Sequence, residues 1–107
     1  MADKVTTFTA SDFGRTNTGI NDSDHCWGSM HCMLGGAVGG GRFYGSAPVV
    51  ANKGPDDVGQ GRLIPSTSVD QYAATLGKWF GISDADLLTV LPNLANWNVS
   101  QRNLGFV

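Results

Sequence analysis

Thr67-Ser68-Val69-Asp70-Gln71-Tyr72-Ala73-Ala74-Thr75-Leu76-Gly77-Lys78-Trp79-Phe80-Gly81-Ile82-Ser83-Asp84-Ala85-Asp86-Leu87-Leu88-Thr89-Val90-Leu91-Pro92 decides the fold, because it spells two consecutive helices. Thr67 or Ser68 can cap the first helix, and Asp70 suits the positive end of its dipole. Val69, Tyr72, Ala73, Leu76 and Phe80 recur at i, i+3, i+4, i+7 and i+11 and predict one apolar stripe. Gly81 stops that helix. Ser83 starts the second, with Asp86 in a capping-box-like position and Leu87, Leu88, Val90 and Leu91 as its apolar side. Pro92 ends it, since proline lacks the N–H that a helix interior needs. The helices therefore occupy 68–92. The tail, 93–107, carries Leu94, Trp97, Leu104 and Phe106 without a clear period.

Upstream of the helices the pattern changes. Residues 46–67 hold Pro48, Pro55 and Pro65 with Gly54, Gly59 and Gly61, which predicts a long irregular loop. Residues 4–10 are β-branched and aromatic and read as a buried strand. Residues 11–24 are rich in Asp, Asn, Gly and Thr and read as a loop. Residues 30–38 read as a second strand running into a turn. Residues 42–45 read as a third strand, pairing with the second across Gly39-Gly40-Gly41. Strands, long loop, then helices describe one α/β or α+β unit, divided into 4–45, 46–67, 68–92 and 93–107.

Composition narrows the function classes. The chain has 107 residues, one domain's worth. All nine acidic residues are Asp, and 15 residues are Gly. Asp favours caps, turns and hard metal ions over helix interiors, which argues against a helical bundle or coiled coil and for a loop-rich chain. No apolar run approaches the roughly 20 residues of a membrane span, so no membrane partner is expected. No basic block is present and the formal net charge is −2, so no nucleic-acid partner is expected. Two cysteines do not make a disulfide scaffold. Met1-Ala2-Asp3-Lys4 has no signal-peptide character, which together with Cys26 and Cys32 suits the cytosol.

The chemistry concentrates in Asp22-Ser23-Asp24-His25-Cys26-Trp27-Gly28-Ser29-Met30-His31-Cys32, which contains both histidines and both cysteines of the chain. Asp24 and His25 offer a carboxylate oxygen and an imidazole nitrogen side by side, donors that suit zinc or a similar divalent ion. His31 is a further metal candidate and equally suits a hydrogen-bonded strand histidine. Cys32 suits a small buried hydrophobe, and Asp22 a turn residue. A second group, Ser11-Asp12-Phe13-Gly14-Arg15-Thr16, follows the first strand, where ligands bind in α/β sheets. Asp12 could hold a metal there and Arg15 an anion, because the guanidinium fork gives two parallel bonds to phosphate or sulfate. An Asp12–Arg15 ion pair that merely pins the loop is equally consistent with the sequence. Arg42 and Arg62 suit loop anchoring.

The runs Val5-Thr6-Thr7-Phe8-Thr9-Ala10-Ser11-Asp12-Phe13-Gly14-Arg15-Thr16, Ser23-Asp24-His25-Cys26-Trp27-Gly28, Leu34-Gly35-Gly36-Ala37-Val38-Gly39-Gly40-Gly41-Arg42-Phe43-Tyr44-Gly45 and Pro55-Asp56-Asp57-Val58-Gly59-Gln60-Gly61-Arg62 together resemble one family. They resemble the C-terminal part of the uncharacterised bacterial sulfatase-like proteins, a domain-of-unknown-function family grouped with the alkaline phosphatase superfamily. The resemblance spans roughly residues 4–97. It implies an α/β fold: a partial alkaline phosphatase/sulfatase-like sheet with two C-terminal helices. It also implies that Asp24 and His25 stand where the superfamily's Asp-His-Gly metal loop would be, with Cys26 in place of the usual Gly. Asp12 stands where family members usually carry Glu, and His31 where related sequences often carry His. Export by the twin-arginine route is common in that family.

The same resemblance implies a missing part. Superfamily hydrolases place the nucleophile and further metal ligands in an N-terminal half, and two-metal hydrolysis needs all of them assembled in one geometry. The leading expectation is therefore a truncated or stand-alone C-terminal segment that keeps a metal-type loop, has no catalytic residue of its own and does not hydrolyse esters alone. Two alternatives stand beside it: a subunit of a metal-dependent phosphate or sulfate ester hydrolase completed by a partner chain, and a small non-catalytic zinc-binding or structural module. A homo-oligomer is expected if the sheet edges stay open.

Overall fold

The computed structural model describes residues 1–19 and 22–107. Residues 20 and 21, part of the predicted 11–24 loop, lie outside the described residues. The elements are a 3-10 turn (Ala2–Lys4), β1 (Thr6–Phe8), β2 (Gly14–Arg15), β3 (His25–Cys26), β4 (Met33–Gly35), α1 (Val69–Phe80), α2 (Asp84–Val90) and 3-10 turns at Pro92–Asn96 and Val99–Gln101. β1 pairs with β4 and β2 with β3, each as a two-stranded antiparallel sheet. The fold is therefore a small α+β arrangement rather than α/β, since the described strands form no parallel crossover.

The chain divides into two units. One comprises Met1–Thr6, Gly35–Gly45 and Thr67–Val107. Its helices start and stop as their local chemistry dictates. Ser68 caps α1, accepting from Gln71 N at 3.1 Å while Gln71 Oε1 accepts from Ser68 N at 2.9 Å. Gly81 closes α1 in the left-handed conformation, φ 104°, which only glycine adopts without strain. Ser83 caps α2 through Asp86 N. Ala74, Leu87 and Leu94 form the core, with Ile82 and Leu91 packed against them. The predicted α1 stripe is rotated: Val69 and Phe80 are exposed, and the buried residues are Gln71, Ala74 and Thr75.

The apparently aperiodic tail completes this unit. Phe106 is fully buried, with its ring against Tyr72 and Tyr44 at centroid distances of 5.6 and 5.9 Å. Gly39 N donates to Phe106 O at 2.8 Å, and Gln71 Nε2 donates to Gln101 O at 2.7 Å. The predicted third strand at 42–45 does not form. Its Tyr44 hydroxyl donates back to Gly39 O at 2.7 Å, and Phe43 points into solvent.

The other unit comprises Thr7–Leu34 and Ser46–Ser66 and contains every predicted site residue. The strands are shorter than the sequence suggested: the 4–10 segment contributes Thr6–Phe8 and the 30–38 segment Met33–Gly35. The first is not buried, with Val5 and Phe8 both exposed. A two-stranded sheet is too small to bury a β-branched run by itself. The 46–66 excursion is irregular but tied down. Asp57 bridges to Leu63, and the Asp56 carboxylate accepts from Val49 N at 2.7 Å.

Candidate functional site

The β2–β3 hairpin positions the candidate residues. Its closure depends on Gly14, where a Cβ would lie 1.8 Å from the Gly28 carbonyl oxygen. The register sets Gly14 opposite Cys26 and Arg15 opposite His25. Thr16 extends the pairing: its N donates to Asp24 O at 3.0 Å, and its hydroxyl accepts from Asp24 N at 3.0 Å. That hydroxyl also donates to Thr18 O at 3.0 Å, so a buried polar group is fully satisfied. Sequence reasoning passed over Thr16, although a threonine inside an Asp/Asn-rich loop is a signal for such side-chain bridging.

Each metal candidate is accounted for individually. The Asp24 carboxylate accepts from His25 N at 2.7 Å through Oδ1, which leaves its other oxygen for a ligand. The His25 ring stacks on Phe13, with centroids 4.0 Å apart and planes 26° from parallel. His31 Nδ1 lies 3.2 Å from Thr9 Oγ1, the oxygen that also accepts from Cys32 N at 2.9 Å. Asp12 is exposed ahead of β2. Arg15 ties its loop through Nη1 to Ser23 O at 2.9 Å rather than through Asp12, and its guanidinium lies 5.1 Å from the Phe13 ring centre. Cys26 is buried with its thiol 3.6 Å from Leu63 O, and Cys32, the expected buried hydrophobe, is exposed.

The hairpin thus brings Arg15 opposite His25 with Asp24 beside it, all three open to solvent. A cavity of about 310 Å³ adjoins Asp24, lined by Thr16, Thr18, Gly19, Asp24 and Gln60. The donor types, carboxylate and imidazole, match zinc, but a zinc site takes four ligands. Among the described residues no three His, Cys, Asp or Glu side chains gather closely enough to hold an ion. Asp24 and His25 supply at most two donors, so the chain's own described residues do not fit a closed metal centre.

One acid outside the prediction has a defined role. Asp57 accepts from Lys53 N at 2.7 Å and from Gly59 N at 2.8 Å. These backbone N–H donors hold its carboxyl below the ordinary aspartate value, Lys53 contributing most, since they favour the charged form. Asp57 is a loop organiser, and the sequence signal for it is Asp two residues before Gly.

The model of a family described as a protein of unknown function (DUF1501) matches residues 1–91. No curated protein matches the chain, and no solved structure does. No described helix is long and apolar enough to cross a membrane.

Proposed function

The chain belongs to the DUF1501 family, and we propose, from the resemblance of its motifs and the hairpin geometry, that it serves as a non-catalytic segment of a sulfatase-like protein, supplying part of a divalent-metal site that other protein completes. The observation that carries this reading is the β2–β3 register, which sets Arg15 opposite His25, the chain neighbour of Asp24, on an exposed hairpin. A carboxylate and an imidazole can serve a zinc-type ion, and a guanidinium can hold the anionic end of a phosphate or sulfate ester. The resemblance of 23–28 to an Asp-His metal loop supports the same assignment. The partial alkaline phosphatase-like sheet belongs to this proposal too, with β1–β4 and β2–β3 as its remnants. Exposed Trp27, Met30 and Leu34 supply apolar surface of the kind that other protein covers.

The test is to load the purified chain with zinc, measure bound metal by elemental analysis, and assay phosphate and sulfate monoesters. The expected outcome is weak zinc binding that Asp24→Ala abolishes, with no turnover by the chain alone. Robust turnover abolished by Asp24→Ala would overturn the non-catalytic reading. Zinc binding indifferent to both Asp24→Ala and His25→Ala would overturn the metal-site reading.

A further inference from the structure

We draw no further inference here: the strongest candidate, the exposed Phe43 on the 39–45 loop, whose base is anchored by the Tyr44 hydroxyl on Gly39 O, is an apolar surface feature, and nothing in the structure shows what covers it.

Discussion

Replacing Thr75 by valine tests how the tail is held to α1. Thr75 is 1% exposed, and its hydroxyl donates to Gln71 O at 2.8 Å and accepts from Leu104 N at 2.9 Å. Valine keeps the shape and removes both bonds. Gln71 O retains its helical partner, so the damage falls on the Leu104 amide. Losing that bond costs about 1 kcal/mol, and leaving the donor stranded adds about 1–3 kcal/mol. Burying a methyl in place of the hydroxyl offsets up to about 1 kcal/mol. The net expectation is a loss of about 2 kcal/mol, or a urea midpoint lower by about 1–2 M at the slope of a small protein. Thr75→Ser is the control: it keeps the hydroxyl and deletes one buried methyl, which costs about 1 kcal/mol. Urea unfolding followed by circular dichroism at 222 nm should rank wild type above serine and serine above valine. Hydrogen exchange at the Leu104 amide should accelerate in the valine variant alone. If serine is the less stable variant, or the Leu104 amide is unmoved in valine, packing rather than the hydroxyl holds the tail.

Leu94→Ala empties a position that is 1% exposed in the core and should cost about 2–5 kcal/mol, read as a lower thermal midpoint of the helical signal. Gly14→Ala puts a Cβ against the Gly28 carbonyl and should abolish the β2–β3 pairing, seen as loss of strand shifts at Arg15 and His25 while the α1 and α2 resonances stay in place. Asp57 has a folded value below its unfolded one, so its bonds contribute stability above the ordinary aspartate value and lose it as pH falls through the folded value. An acid titration of the Lys53 and Gly59 amide shifts should therefore show a transition below the ordinary aspartate range, absent in Asp57→Asn.

The elements legible in the sequence are those specified by near neighbours. Ser68 with Gln71, Ser83 with Asp86, and Gly81 in its left-handed turn fix helix ends within three or four residues, so α1 and α2 lie where the caps place them. Asp24 and His25 are adjacent in the chain, and their proximity needed no fold to establish it. The α1 stripe was misplaced because its most buried residues, Gln71, Ala74 and Thr75, lie about half a turn around the helix from Val69 and Phe80, and spacing alone does not say which face meets a partner. Leu104 and Phe106 gave no periodic signal, since their partners are on α1 and the 39–45 loop.

The strands show the limit most clearly. A β-branched run predicts extended backbone, yet its hydrogen-bond partners lie elsewhere in the chain. The 30–38 segment paired with β1 rather than with 42–45, and Gly14-Arg15, inside a predicted loop, became β2 because His25-Cys26 came to lie opposite. By itself the sequence determined the two capped helices, the Asp-rich irregular connections, membership of a family of unknown function and the residue types available for metal and anion binding. Tertiary structure alone decided that Arg15 faces His25, that Cys26 is buried and Cys32 exposed, and that Thr75 ties down the tail. Caps and turns are satisfied by atoms a few bonds apart, whereas strand register and burial depend on contacts between segments whose sequences carry no mark of one another.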